Sequence, residues 1–239
     1  MNNDENLRRL DSIVLSDNAC EEFLNALEED EFRYYIMNTL PELTQCKVTS
    51  QDNPWHIYDC LTHILKSVEN MNLLSKDLPA DERRLLSYTM LLHDMGKPLC
   101  KIRQYSTFHK RAVDKFPRHN IAGMELAKRS LPLLHFDENE QKIITTLVKD
   151  HDIFIHLRLN PNEGGALLTP NLVDYLRRQY DKLGDGKKIL SYLIKVGLAD
   201  NEAQNKELTE NSLKLIYTMG EMVDALEDKT ITQTGDLSL

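Results

Sequence analysis

His93 and Asp94 stand side by side at the end of an apolar run, Leu91-Leu92-His93-Asp94-Met95-Gly96-Lys97-Pro98. An imidazole nitrogen and a carboxylate oxygen both ligate divalent cations. Polar groups at the end of a buried helix cost free energy unless something satisfies them, and one cation would satisfy both. Candidate partners stand at separated places: His63 upstream, and His119, His151 and Asp200 downstream. Adjacent helical residues diverge by ~100°, so His93 and Asp94 can share an ion only near the helix end. Gly96 is expected there as a helix breaker. Asp200 ends the apolar stretch Val196-Gly197-Leu198-Ala199, which suits an inward-facing carboxylate. His119 and His151 sit at the edges of apolar-periodic helices. They could bind a second ion ~3.5–4 Å from the first, bridged by Asp94. Such a mixed nitrogen and oxygen set suits Mn, Fe, Co, Ni, Zn or Mg, one ion or two, and does not choose among them.

The elements that must position these groups read as helices. Ser16-Asp17 precede Phe23, Leu24, Leu27, Tyr34, Tyr35 and Met37, which predicts one or two helices ending before Pro41; Thr44 to Asp52 reads as irregular. Asn53-Pro54 is the signature of a cap and a first helical residue, which predicts a helix from there to Leu74. On it His56, Asp59 and His63 would share one face. Leu78-Pro79-Ala80-Asp81 opens the helix that ends at the doublet, and Lys97 to Pro117 reads as a long loop with room for one turn of helix and no hairpin signal. Further helices are expected from Arg118 to Pro132, Asp137 to His151, Pro170 to Gly184, Lys187 to Asp200 and Leu208 to Leu226, with a loop around Gly164-Gly165 and a polar tail over the final ten residues. The expected fold is all-α: an N-terminal helical extension (1–49), a bundle carrying the site (50–202), and a C-terminal helix and tail packed on that bundle (203–239).

Composition sets the outer bounds. The chain has 239 residues, 41% hydrophobic and 28% charged, enough for a sizeable core, and only 9 Gly and 8 Pro, which favours helices over turn-rich β structure. No apolar run approaches the ~20 residues a membrane span needs, and the polar start Met1-Asn2-Asn3-Asp4-Glu5-Asn6 is unlike a signal peptide. Four scattered cysteines (Cys20, Cys46, Cys60, Cys100) without a CxxC pair fit reduced thiols in a cytoplasmic protein. A net charge of −9 disfavours duplex DNA as a partner. A small phosphorylated substrate remains compatible, because metal ions and local lysines can supply positive field. Lys101, Arg103, Lys110, Arg111, Lys115 and Arg118 form a basic segment beside the doublet, readable as a solvated loop or as a mouth that attracts phosphate. His109, His135 and His156 read as ordinary histidines outside the metal set, and Trp55, Tyr58, Leu61 and Leu65 as a core stripe. The last helix carries Leu213, Leu215, Ile216, Met219 and Met222 at amphipathic spacing, which fits the core or an oligomer contact equally.

In order and type, His63, His93-Asp94, His119, His151 and Asp200 resemble the HD-domain superfamily of metal-dependent phosphohydrolases. The segments Asn53-Pro54-Trp55-His56-Ile57-Tyr58-Asp59-Cys60-Leu61-Thr62-His63 and Leu91 to Pro98, with His119 followed by Gly123 and Ala127, look most like the HD domain of bacterial CCA-adding tRNA nucleotidyltransferases. The likeness spans about residues 50 to 202. No glycine-rich segment with paired aspartates precedes it, so CCA addition is not expected. The resemblance implies an HD-domain helical bundle, those six residues as metal ligands, and hydrolysis of a phosphomonoester or a cyclic or linear phosphodiester of a nucleotide-like substrate. It further implies that Asp94 holds metal and orients the attacking water, that Lys97 neutralises phosphate charge, that Arg118 helps bind substrate, and that His56 or His119 protonates the leaving oxygen. Two other readings stand beside it: a metal-bound regulatory or sensor module that binds a nucleotide or partner without turnover, and an accessory that trims RNA ends.

Overall fold

The computed structural model describes residues 3–226 and is all-α apart from two short strand pairs. The expected polar tail lies beyond residue 226, outside the described residues. The first four helices are α1 (Asn3–Val14), α2 (Ala19–Ala26), α3 (Asp30–Thr39) and α4 (Pro41–Cys46). α1 falls within the expected helical extension, ahead of the first helix placed individually, and α4 runs into the stretch from Thr44 expected to be irregular. In α1, Leu7, Leu10, Ile13 and Val14 bury one face despite the polar composition, and α4 starts on Pro41, which suits a first helical position.

Next come α5 (Cys60–Leu74), α6 (Ala80–Leu92), the one-turn α7 (Lys97–Cys100), the antiparallel strands β1 (Ile102–Ser106) and β2 (Arg111–Lys115), and α8 (His119–Ser130). The helix expected from Asn53 therefore begins seven residues later. The Asn53 side chain accepts from the Trp55 N–H and faces His56 Nδ1, which closes a local turn instead of capping a helix. Asp59 is the working cap: its carboxylate accepts from the Thr62 N–H at 3.0 Å and from the Thr62 hydroxyl. His56 and Asp59 are consequently outside α5 and do not share a helical face with His63.

In the segment expected as a loop with room for one turn of helix, α7 is that turn, and the loop beyond it is replaced by a β-hairpin. Its turn lacks glycine, and Lys110 adopts φ 52° in its place, so the usual hairpin signal is missing from the sequence. A two-stranded ribbon is marginal alone. This one is tied at its base, where the Asp114 N–H donates to Asp52 O and the Asp52 N–H donates to Asp114 Oδ2, both at 2.9 Å.

The remainder is α9 (Glu138–Asp150), a 3-10 turn over His151–His156, a short parallel pair (Leu157–Arg158 with Ala166–Leu167), α10 (Pro170–Tyr180), α11 (Gly186–Glu202) and α12 (Lys206–Asp224). Asp137 and Glu140 form a reciprocal capping box on α9. The helices α5, α6 and α11 pack on one another, α9 lies against α6 and α8, and α12 covers α11. One apolar cluster runs from Leu7 to Val223, through all three segments into which the sequence divides the chain. Leu61, Ile64, Leu86, Leu91, Leu92, Leu193 and Val196 in it are fully buried, and each contributes ~1.5–3 kcal/mol relative to exposure. Leu215, Ile216 and Met219 of α12 are buried in the same cluster, so that face is used internally. No helix among the described residues is long and apolar enough to cross a membrane.

Candidate metal centre

The ends of several helices meet at one place. His63 lies in the first turn of α5, His93 and Asp94 follow directly after α6, His119 opens α8, His151 follows α9, and Asp200 sits in the last turn of α11. α6 ends at Leu92, but His93 keeps right-handed helical dihedrals (φ −57°, ψ −40°), so the doublet converges through the reach of its two side chains beyond the helix end. His93 Nε2 and Asp94 Oδ2 come within 3.3 Å of each other. Gly96 serves this geometry differently from the expected helix breaker. Its backbone is ordinary right-handed (φ −77°, ψ −14°), but a Cβ there would lie 2.2 Å from His119 O and 2.5 Å from Gly123 N. Glycine lets α8 approach the doublet.

The imidazole tautomers follow from the backbone. The Nδ1–H groups of His93, His119 and His151 each donate to a carbonyl three residues upstream: Met90 O at 2.6 Å, Phe116 O at 2.8 Å and Val148 O at 2.7 Å. His63 Nδ1 reaches Ala203 O at 3.3 Å. A carbonyl only accepts, so Nδ1 carries a hydrogen, and a ring that has given up its second proton turns an Nε2 lone pair inward. Those lone pairs face further acceptors. His63 Nε2 is 2.9 Å from Asp200 Oδ1 and 3.2 Å from Asp94 Oδ2, His93 Nε2 is 3.7 Å from Asp200 Oδ1, and His119 Nε2 is 3.2 Å from His151 Nε2. Yet His63 Nε2, His93 Nε2 and Asp94 Oδ1 are buried without a hydrogen-bond partner. The atoms are close but not aimed at one another as donor and acceptor; they aim at shared space.

Three overlapping groups have ligand atoms mutually within 4.8 Å: His63, His93 and Asp200; Asp94, His119 and His151; and His56, His63 and Asp94. These buried His and Asp groups are close enough to hold a metal ion. The two Asp94 oxygens face different ways. Oδ2 looks to His63 and His93, and Oδ1 to His119 at 3.1 Å and His151 at 3.8 Å. All six residues singled out by spacing are thus brought together.

The electrostatics call for positive charge. Burial pushes the Asp94 and Asp200 carboxyls up, but Lys97 and His93 around the first, and His63 and His93 around the second, hold both well below the usual range. Burial opposes charge on His93, yet Asp94 and Asp200 lift it to about 10; His63 is raised by the same two carboxylates against the same penalty. His119 is raised, burial being outweighed by Asp94 and Asp152, and His151 is lowered, chiefly by burial. Protons and a cation would compete for the same inward nitrogens.

Lys97 and His56 line the cavity over the centre, as expected, but are engaged with each other, and Arg118 is placed elsewhere. The Lys97 ammonium is 3% exposed and fully engaged: it pairs with Asp94, donates to Gln51 Oε1 at 2.7 Å and lies 3.0 Å from His56 Nε2. It offsets the carboxylate and has no donor left for a phosphate. His56 accepts from Lys97, and burial together with that ammonium pushes its pKa down to about 2, so it has no proton to give a leaving group. Arg118 caps α8 at φ 60° and borders a separate shallow groove with Leu99, Ile102 and Ile121, away from the centre.

Two participants escaped the sequence reading. Asp152 lies 3.3 Å from both His119 Nε2 and His151 Nε2. The run Asp150-His151-Asp152 carried a hint, since a histidine between two acids has a carboxylate on either side; Asp150 is instead taken by the Tyr180 hydroxyl at 3.0 Å. Gln51 gave no signal, because only its long-range contact with Lys97 marks it. Over the centre opens a cavity of about 540 Å³. Asp94, His119, His151 and Asp200 form its floor, with Trp55, Phe154, Ile155 and the hairpin as walls. Its size suits a ligand of nucleotide dimensions. No family model and no curated protein matches the chain.

Proposed function

We propose that this chain is a metal-dependent phosphohydrolase of the HD-domain type, cleaving a phosphomonoester or phosphodiester of a nucleotide-like substrate. The observation that carries the reading is the set of buried, inward, unpartnered acceptors: His63 Nε2, His93 Nε2 and Asp94 Oδ1. Uncompensated, such groups are costly. His63, His93, Asp94 and Asp200 would hold one divalent ion. His119, His151 and Asp94, with Asp152 beside them, would hold a second. A cation bound there lowers the pKa of a coordinated water toward ~7 and polarises a phosphoryl oxygen. The chain's own contribution is to fix the four rings through their Nδ1 contacts, to hold Asp94 ionised through Lys97, and to admit the substrate over the floor. Lys97 acts in this scheme as a positioning residue for Asp94.

The experiment is a panel of phosphatase and phosphodiesterase substrates assayed with Mn, Co, Ni, Zn or Mg, beside metal analysis of the protein. Metal-dependent turnover that disappears in His93→Ala supports the proposal. A second reading, a sensor that binds a nucleotide without turnover, is favoured by one observation: Lys97 and His56 are engaged with each other and offer neither a charge clamp nor a proton. Nucleotide binding with no turnover under any metal would select it.

A further inference from the structure

The basic segment beside the doublet sorts into spent and unspent charges. Over residues 101–115 the hairpin region carries five basic side chains, Lys101, Arg103, Lys110, Arg111 and Lys115. Two carboxylates answer them. Asp114 takes Lys101 at 2.9 Å and Arg103 at 3.0 Å, and Asp52 takes Arg103 at 2.8 Å and Arg111 at 2.7 Å. Lys110 and Lys115 make no ion pair among the described residues. They differ in place: Lys110 is in the turn, and Lys115, at the end of β2, lines the cavity.

The other hairpin groups lining the cavity are also donors. Ser106 Oγ accepts the His109 N–H at 3.2 Å, which leaves its hydroxyl hydrogen free, and the His109 ring borders the same space. Asp114, the hairpin's own acid, is occupied at the base. This wall therefore offers an ammonium, a hydroxyl and an imidazole, with Val113 as its apolar step, and no uncommitted carboxylate. In the same cavity as a floor that would take one phosphate, such donors suit a second anion.

We propose that the hairpin wall is a second phosphate subsite centred on Lys115, so that the ligand is a mononucleotide carrying two separated phosphates, one on the floor and one on β2. The proposal rests on the phosphate-binding reading of the floor, and its test is chosen to fail separately. Calorimetry on the Mn-loaded protein compares adenosine 5′-monophosphate with adenosine 3′,5′-bisphosphate, the base being held constant. The bisphosphate should bind roughly tenfold more tightly or better, the effect of one charge-assisted contact. Lys115→Gln should abolish that preference while leaving monophosphate affinity and metal content unchanged. Lys110→Gln removes the same charge outside the cavity and should retain the preference.

Equal affinity for the two nucleotides, equal behaviour of the two lysine variants, or no binding of either nucleotide would overturn the subsite. Preferential, Lys115-dependent binding without hydrolysis would leave the subsite standing and remove the hydrolase reading. Hydrolysis of the monophosphate with no preference for the bisphosphate would do the reverse.

Discussion

Replacing Asp94 by Asn is the sharpest perturbation available, because one carboxylate serves both halves of the centre and neutralises a buried lysine. With the carboxylate gone, Lys97 keeps Gln51, His56 and the face of the Phe116 ring 5.3 Å away, and no anion in hydrogen-bond contact. An uncompensated buried charge costs about 3–5 kcal/mol. For a chain of this size each kcal/mol moves Tm by about 2–4 °C, so metal-free Asp94→Asn should melt roughly 6–20 °C below metal-free wild type. Adding Lys97→Met removes the stranded charge and should recover more than half of that loss. Metal provides the second axis. At a hundred times Kd a cation stabilises by about 2.7 kcal/mol, which is about 5–11 °C for wild type. The single and double variants should show no such shift. The assay is thermal unfolding followed by circular dichroism, with and without Mn, beside metal content by elemental analysis. A metal-induced shift that survives in Asp94→Asn would refute the bridging role. A double variant less stable than the single would refute the argument about Lys97.

Three further outcomes follow from the same geometry. His151→Ala and His63→Ala should each lower bound metal from two equivalents to one by elemental analysis, the first emptying the position beside His119 and the second the position held with His93 and Asp200; one equivalent in wild type that both variants lose would mean a single shared position. Gly96→Ala should destabilise the fold by at least about 1–3 kcal/mol, the usual cost of overpacking, because its Cβ would meet the His119 carbonyl at 2.2 Å; denaturant unfolding at unchanged m-value reads this. Asp114, which burial pushes up, is held below its ordinary value by Lys101, the Asp52 N–H and Arg103. A depressed carboxyl contributes stability above the unfolded pKa of ~3.9 that is lost as pH falls toward its lower native value. Asp114→Asn should therefore cost about 1–3 kcal/mol near neutrality, with the gap to wild type closing below about pH 4; a gap constant from pH 7 to pH 3 would contradict that linkage.

What the sequence made legible was what local pattern controls. Apolar periodicity located α6, α9 and α11, whose ends carry His93, His151 and Asp200, since an amphipathic helix must turn one face inward whatever it packs on. The misreadings came where two local signals competed or none existed. Asn53-Pro54 and Asp59 are both good caps, and the choice fell to Asp59 because Thr62 supplies two donors to it while Asn53 is drawn to Trp55 and His56. The hairpin was invisible because Lys110 takes a backbone conformation that usually announces itself as glycine, and because Asp52, far upstream, anchors it. Lys97 and Arg118 look alike as exposed-type cations in a basic stretch. The first pairs locally with Asp94, three residues before it, and is buried by its long-range partners Gln51 and His56, while the second borders a different groove.

The manner in which His93, His119 and His151 are held has a consequence for ion exchange. Each ring is steadied by a carbonyl of its own stretch of chain, so its angle is set before any ion arrives. Loading and emptying the centre then need no refolding, and little reorganisation opposes capture. The same stiffness prevents the gap from reshaping itself around whichever ion enters. Discrimination between cations should follow ionic radius and preferred coordination angles, so the larger, oxygen-seeking Ca²⁺ should be a poor occupant beside the smaller transition metals.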